Sequence, residues 1–204
     1  MALFANARSL APFGFELDAT LDQALSDRGR DEFRELFARE GLLVIRGLNL
    51  TMNEQQDVCR TFGPIPDSIF ENFYVSNRRA DGFLGTRELQ WHNDVPYLPS
   101  PYLVGALHAV EVDPDATSTK FVSGIRAYES LPQRLKERIA GLKALQVRQR
   151  AWERRNRLED LQAGDLCTVH PVVRTQEGTG RPYLFVNENM TACIIGLSEA
   201  DSDA

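Results

Sequence analysis

The chain has 204 residues, 43% of them hydrophobic, and a formal net charge of −6. A chain of this size can bury the core of one domain, and its acidic balance argues against a nucleic-acid-binding protein, which gathers basic residues on one face. Three widely spaced cysteines without a C-x-x-C pair indicate neither a disulfide framework nor a structural zinc site, and reduced thiols fit a cytoplasmic protein best. No segment approaches the roughly 20 apolar residues that are needed to cross a membrane.

The first part of the chain predicts two helices and a buried strand. Apolar residues between positions 21 and 40 recur on one helical face, and Gly41 follows as a C-terminal cap. The apolar run at residues 42–45 is a candidate buried strand. Thr51 and Glu54 have the spacing of a capping box, which predicts a second, shorter helix.

The stretch Trp91-His92-Asn93-Asp94 contains an H-x-D motif. We expect it in an extended strand, where residues two apart project to the same face, so that His92 and Asp94 direct an imidazole nitrogen and a carboxylate oxygen to one point. This pair suits a metal ion. It makes up two-thirds of the 2-His-1-carboxylate triad, which leaves positions on Fe(II) open for a co-substrate and dioxygen. The third ligand, a distant histidine, must come from elsewhere.

The rest of the chain predicts many short strands and one more helix. Apolar residues at helical spacing predict a helix over residues 125–141, and Gly178 and Gly180 indicate a hairpin turn. Many short strands with helices on one side are typical of a mainly β sandwich with flanking helices. The predicted strands are residues 103–112, 121–122, 170–174, 182–187 and 193–197.

Residues 146–160 are the most charged part of the chain. We interpret them as a solvated helix face or a mobile lid, because runs of charge are usually solvated. The alternative is a rim that attracts anionic molecules. The segment contains five arginines and three acidic residues, namely Arg148, Arg150, Arg154, Arg155, Arg157, Glu153, Glu159 and Asp160.

Several linked motifs carry a resemblance to a known family. After the H-x-D motif come Ala116-Thr117-Ser118-Thr119, then Gly124 to Leu131, then His170-Pro171-Val172-Val173-Arg174-Thr175, and finally Leu184-Phe185-Val186-Asn187. In order and spacing along residues 40–204, this series resembles the Fe(II)/2-oxoglutarate dioxygenases of the taurine dioxygenase-like family. A lone H-x-D motif arises often by chance, whereas the linked series is specific.

The resemblance implies a double-stranded β-helix, or jelly roll, that forms a single domain over residues 1–204. In this family His92 and Asp94 would be iron ligands, and Thr119 would hydrogen-bond the carboxylate of the co-substrate 2-oxoglutarate. The family usually has Gly-Gly-Asp before that threonine. Here Ala116-Thr117-Ser118 stands instead, so the turn lacks the freedom of glycine.

The implied reaction is hydroxylation of an unactivated C–H bond, or cleavage after hydroxylation, coupled to conversion of 2-oxoglutarate into succinate and carbon dioxide. An alanine or glycine at position 94 would open a halide site. Asp94 therefore favours hydroxylation over halogenation.

The family takes its distal histidine ligand and its 2-oxoglutarate-binding arginine from a segment beyond the strand that aligns with residues 185–187. We expect the chain, which stops at Ala204, to lack this segment and with it the C-terminal part of the fold. An incomplete chain is favoured over a natural truncation. Of the other histidines, we expect His108 to be hydrogen-bonded in the core, and His170 is the fallback third ligand.

The substrate is expected to be a small polar molecule other than taurine. Glu88 lies four residues before His92, where taurine-type members have an uncharged asparagine, and an acid there would repel a sulfonate. A substrate with an amino or other cationic group is the hypothesis that follows. Aromatic candidates for the pocket, although such residues are more often part of the core, are Phe70, Phe73, Tyr74 and Tyr97.

Two other classes of function are left open. The first is a non-catalytic or degenerate jelly-roll protein that binds a ligand or assembles with partners. The second keeps the metal site but places zinc in it for hydrolysis, which needs no oxygen. Association into homo-oligomers is also left open.

Overall fold

The computed structural model of the protein describes residues 2–66, 74–113 and 118–203. The chain divides into two compact units, the first formed by Met1–Asn72 and Ala106–Ser123 and the second by Phe73–Gly105 and Gly124–Ala204. The strands of the described part are β1 (Arg8–Ser9), β2 (Phe15–Asp18), β3 (Leu43–Arg46), β4 (Val75–Ser76), β5 (Phe83–Leu84), β6 (Lys143–Val147), β7 (Cys167–Pro171), β8 (Val173–Thr175), β9 (Pro182–Leu184) and β10 (Thr191–Ile194). The helices are α1 (Leu21–Leu25), α2 (Asp27–Glu40), α3 (Met52–Cys59), α4 (Gly124–Ser130), α5 (Gln133–Ile139) and α6 (Glu199–Asp203), with a 3-10 turn at Leu158–Asp160.

The first unit is a small sheet covered by helices. Its strand order is β1-β2-β3, with β1 antiparallel and β3 parallel to β2. Helices α1 and α2 connect the two parallel strands, as a parallel pair requires a crossover. Phe4 and Phe33 stack at a ring-centroid distance of 4.9 Å. The buried cluster consists of Phe4, Leu17, Ala19, Ala24, Phe33 and Val58.

The helix predicted over residues 21–40 is present but divided. Ser26 is extended between α1 and α2, and its hydroxyl accepts a hydrogen bond from the Gly29 amide, which caps α2. Gly41 ends α2 at a φ of 74°, as predicted. The capping box of Thr51 and Glu54 at the start of α3 is confirmed.

The second unit contains the longest strands. Strands β10, β6 and β7 form an antiparallel sheet in that order, and β8 and β9 form the hairpin that Gly178 and Gly180 predicted. Strands β4 and β5 form a short parallel pair. The helix predicted at residues 125–141 is divided into α4 and α5, because Pro132 lacks an amide hydrogen and disfavours helical backbone at Leu131.

Two predicted strands are wrong. Residues 103–112 and 121–122 belong to no strand, and their large apolar side chains are exposed, as in Leu107 and Val110. Strand propensity expresses packing against neighbouring strands rather than an intrinsic backbone preference. Within the ranges that the structure describes, no neighbouring strand pairs with either run.

The prediction of many short strands accompanied by helices is confirmed. In the described ranges, no helix is both long and apolar enough to cross a bilayer.

The start of α2 generates a stability prediction. A Cβ atom at Gly29 would lie 1.9 Å from the backbone carbonyl oxygen of Gln23, so Gly29→Ala forces the two helices apart. We expect a loss of about 1–3 kcal/mol in the free energy of unfolding, measured by urea denaturation. Glu35→Ala, at an exposed position of the same helix, is the control and should change stability by at most about 0.5 kcal/mol. Equal urea midpoints for Gly29→Ala and the parent would contradict the close approach.

Candidate metal centre

The H-x-D motif lies on irregular backbone, so its prediction as a strand is wrong. Residues 91–98 form bends and turns, and Val95 has a φ of 44°. Such a φ is uncommon for a β-branched residue. The cause is visible in the sequence, since Pro96, Pro99 and Pro101 remove three backbone donors that a β-ladder would need.

His92 and Asp94 nevertheless converge on one point. The His92 Nε2 atom lies 3.3 Å from Asp94 Oδ1, and its Nδ1 atom lies 3.0 Å from the carbonyl oxygen of Gln90. Because a carbonyl can only accept, Nδ1 carries the hydrogen of this bond, which orients the ring and directs Nε2 to Asp94. The hydrogen bond with Asp94 raises the pKa of His92, against the opposing effect of burial.

This pair fits a divalent metal ion. Two ligands about 2.1 Å from an ion and at right angles to each other stand about 3 Å apart, close to the observed separation of His92 and Asp94. An imidazole nitrogen with a carboxylate oxygen is a donor set that suits Fe(II). Because a metal-binding imidazole must be neutral, the proton that the Asp94 hydrogen bond favours on His92 competes with a metal ion for Nε2.

No third ligand joins the pair in the described residues, where no group of three or more histidine, cysteine, aspartate or glutamate side chains comes together. His108, in the first unit, accepts a hydrogen bond at Nε2 from the Leu50 amide. This agrees with the prediction that His108 is hydrogen-bonded rather than a metal ligand. His170 is buried, and its Nε2 lies 2.9 Å from the carbonyl oxygen of Leu98. This nitrogen binds backbone, and no cluster of three metal-ligating side chains includes His170 in the described residues, so its fallback assignment as a metal ligand gains no support.

Asn187 connects the motif to the following turn. Its Nδ2 atom donates to Asn93 Oδ1 at 3.3 Å, and its Oδ1 atom accepts from the amides of Asn189 and Met190. Asn187 belongs to the Leu184-Phe185-Val186-Asn187 motif, but no sequence pattern indicated its contact with Asn93. It holds the residue between the two proposed ligands.

The arginine-rich segment at residues 148–157 is irregular rather than helical, and buried amides hold it. Asn156 accepts at Oδ1 from the amides of Arg150 and Ala151, and it donates at Nδ2 to the carbonyls of Ala151 and Asn189. Asn189, fully buried, donates to the carbonyls of Ala151, Trp152 and Arg154. These contacts favour a fixed segment, and movement as a lid stays a prediction.

Four arginines of this segment have acidic partners. Arg154 bonds Asp160 at 2.7 Å and holds the pKa of that carboxyl well below its usual range. Local pairing neutralises much of the positive charge, which favours the solvated interpretation over a rim for anions. The other pairs are Arg150–Asp165, Arg155–Asp203, Arg157–Glu199 and Arg157–Asp203.

The structure gives the location of some of the other predicted site residues. Thr119 is exposed, lies in no helix or strand and belongs to the first unit, whereas His92 and Asp94 belong to the second. Its role stays a prediction. Tyr97 is buried and Glu88 is exposed. The candidates Phe70, Phe73, Ala116 and Thr117 lie outside the described residues.

Comparison with known proteins gives a family match over almost the whole chain. The family model described as "Taurine catabolism dioxygenase TauD, TfdA family" matches residues 6–204. An alpha-ketoglutarate-dependent 2,4-dichlorophenoxyacetate dioxygenase of Cupriavidus pinatubonensis is 27% identical over 194 residues, covering 83% of this chain and 68% of that protein. An alpha-ketoglutarate-dependent dioxygenase of Penicillium expansum is 28% identical over 221 residues, covering 97% of this chain and 62% of that protein.

Solved structures share the fold. A taurine dioxygenase from Burkholderia xenovorans superposes with a TM-score of 0.67 at 20% identity, covering 97% of this chain and 68% of that chain. The structure of AAD-2 in complex with Mn(II) and N-oxalylglycine superposes with a TM-score of 0.68 at 17% identity, covering 96% of this chain and 74% of that chain. The chain spans between 50% and 68% of the length of four curated relatives that it matches.

The amide contacts of the arginine-rich segment generate a prediction. Asn156→Ala removes four side-chain hydrogen bonds and leaves the part-buried amides of Arg150 and Ala151 without the acceptor that they share. We expect a loss of about 1–3 kcal/mol in the free energy of unfolding and faster trypsin cleavage within residues 148–157, followed by mass spectrometry. Asn77→Ala, at an exposed loop position, is the control and should match the parent. A mobile lid would instead be cut rapidly in the parent, with no change in Asn156→Ala.

Proposed function

The chain belongs to the taurine catabolism dioxygenase TauD, TfdA family. On that premise we propose that it functions as an Fe(II)- and 2-oxoglutarate-dependent dioxygenase. The observation that carries the proposal is the convergence of His92 Nε2 and Asp94 Oδ1, 3.3 Å apart. Relatives named as alpha-ketoglutarate-dependent dioxygenases support it, and none of those reported above supports a non-catalytic protein.

In this proposal His92 and Asp94 hold the iron. With 2-oxoglutarate and dioxygen, bound Fe(II) couples the formation of succinate and carbon dioxide to the insertion of one oxygen atom into a C–H bond. The Gln90 carbonyl keeps the His92 hydrogen on Nδ1, so that Nε2 is available to a metal. A carboxylate at position 94 occupies the place that a halide would need, which supports hydroxylation, or cleavage after hydroxylation, over halogenation.

Thr119 is proposed to hydrogen-bond the 2-oxoglutarate carboxylate. The place of Thr119 in the series of motifs that the chain shares with the family supports this role. We further propose that residues 1–204 belong to one jelly-roll domain, as the likeness to solved family structures supports.

The substrate is proposed to be a small polar organic molecule other than taurine. The relative from Cupriavidus is named for an anionic aryloxyacetate, but the arginines at residues 148–157 pair with acids here, which weakens their attraction for such an anion. Glu88 is exposed near the H-x-D motif and adds negative charge. We therefore propose a substrate that carries an amino group.

The setting of the reaction is proposed to be the cytoplasm. All three cysteines are free in the structure, as suits a reducing compartment. The acidic net charge supports a small-molecule substrate rather than nucleic acid as the partner, and a homo-oligomer is compatible with the proposal.

The proposal predicts a spectroscopic signature. Anaerobic addition of Fe(II) and 2-oxoglutarate to the protein should give a weak visible charge-transfer band. His92→Ala and Asp94→Ala should each lose this band, because each removes one of the two ligands. His108→Gln is the matched control, since the His108 imidazole accepts a hydrogen bond from the Leu50 amide and is not a proposed ligand, and it should keep the band.

The same experiment separates the rival functions. A parent protein without the band, and without oxygen-dependent succinate formation, would point to a non-catalytic protein. Hydrolytic turnover with zinc in the absence of oxygen would instead point to a metallohydrolase.

The substrate class predicts a charge effect. Succinate formation is measured with matched pairs of substrates that differ only in an amino group. Glu88→Gln should lower kcat/KM roughly two- to fivefold for the amine, because an exposed charge contributes modestly, and leave the neutral analogue unchanged. An unchanged value for the amine would argue against a cationic substrate.

A further inference from the structure

The segment that carries His92 and Asp94 lacks the usual means of fixing a ligand pair. It forms no β-ladder, and it includes Val95 at a φ of 44°. A β-branched residue rarely adopts such a conformation, which persists only where the surroundings impose it. Within residues 91–98, the Leu98 amide donates to the Val95 carbonyl at 3.1 Å, which closes one turn of backbone.

Two side chains of β7 bind the carbonyls that follow the strained residue. The Thr168 hydroxyl donates to the Tyr97 carbonyl at 2.7 Å. His170 Nε2 lies 2.9 Å from the Leu98 carbonyl, and because that oxygen only accepts, Nε2 carries the hydrogen. Consecutive carbonyls, three and four residues beyond Asp94, are thus bound by side chains.

The two side chains are themselves well placed to act as fixed points. Residues two apart on a strand project to the same face, so Thr168 and His170 approach the segment together. Strand β7 pairs with β6 along its whole length, with Thr168 opposite Gln146 and His170 opposite Ala144. The His170 ring also packs edge-on against Phe185, with centroids 5.3 Å apart.

The buried residues between the ligands and these bonds transmit the constraint. Pro96 is fully buried, and Val95 and Tyr97 are buried as well. A peptide held at Tyr97 and Leu98 and packed at Pro96 has little freedom to rotate at Asp94. Loss of the two bonds would let Val95 relax towards negative φ and carry the Asp94 carboxylate away from His92.

We propose that Thr168 and His170 are positioning residues, which hold the Tyr97 and Leu98 carbonyls so that Asp94 faces His92 in the geometry of a metal site. The inference rests on the proposed function for its chemical meaning. The contacts themselves are independent of any metal.

The test uses three readouts on the protein and its variants. Thr168→Val and His170→Phe each keep the shape of the side chain and remove the donor, and Thr168→Ser keeps the hydroxyl. Mn(II) affinity is measured from the EPR signal of the free ion, amide hydrogen exchange is followed in the peptide covering residues 91–98, and stability is measured by urea denaturation. Val169→Ala, on the opposite and exposed face of β7, is the matched control.

We expect Thr168→Val and His170→Phe each to weaken Mn(II) binding about tenfold, as loss of an outer-shell partner does, and to accelerate exchange in residues 91–98. Thr168→Ser and Val169→Ala should match the parent protein in Mn(II) affinity and in hydrogen exchange of residues 91–98. The double variant Thr168→Val/His170→Phe should weaken binding more than either single change.

Other outcomes overturn one of the two proposals. A lower urea midpoint with unchanged Mn(II) affinity and unchanged exchange would reduce Thr168 and His170 to ordinary structural residues. A parent protein that does not bind Mn(II) would contradict the metal centre, whereas the exchange measurement would still decide whether the two side chains hold the segment.

Discussion

In our proposal, the geometry of His92 and Asp94 as metal ligands depends on hydrogen bonds to backbone carbonyls, because the backbone of these two residues lies in no sheet. Pro96, Pro99 and Pro101 remove the donors that would bind a neighbouring strand. In a strand, ladder bonds on both sides would set the orientation of His92 and Asp94. Here the Gln90 carbonyl orients the imidazole, and bonds from a neighbouring strand restrain the chain after the carboxylate. The geometry of the site is therefore a property of tertiary structure.

Buried amides extend this arrangement through the second unit. Asn187 joins Asn93 to the turn that contains Asn189, and Asn189 with Asn156 binds the backbone of the arginine-rich segment. An amide side chain donates and accepts together, which suits it to irregular backbone whose groups point in several directions. Substitutions in this group should therefore have effects on neighbours that do not add. The conformation of each segment depends on the others.

Local features were predictable from sequence and distant contacts were not. The prediction of a capping box at Thr51 and Glu54 is correct because all the hydrogen bonds of the box lie within four residues. The convergence of His92 and Asp94 was expected on a strand and occurs without one, although the prolines nearby were visible. The prediction of a strand at residues 103–112 is wrong because an apolar composition does not by itself supply a neighbouring strand to pair with. The bond from Thr168 to Tyr97 spans 71 residues, and no local pattern encodes it.

The bonds to the Tyr97 and Leu98 carbonyls have a consequence for how the protein can diverge. Every amino acid has a carbonyl, so a contact made to backbone places no direct demand on side-chain identity. Positions 97 and 98 can therefore exchange residues over evolutionary time, within the limits of packing, while the two donors on β7 keep their partners. If His92 and Asp94 hold the metal as proposed, selection for a new substrate can act on neighbouring side chains without disturbing the two ligands, which would separate the evolution of specificity from the maintenance of the reaction.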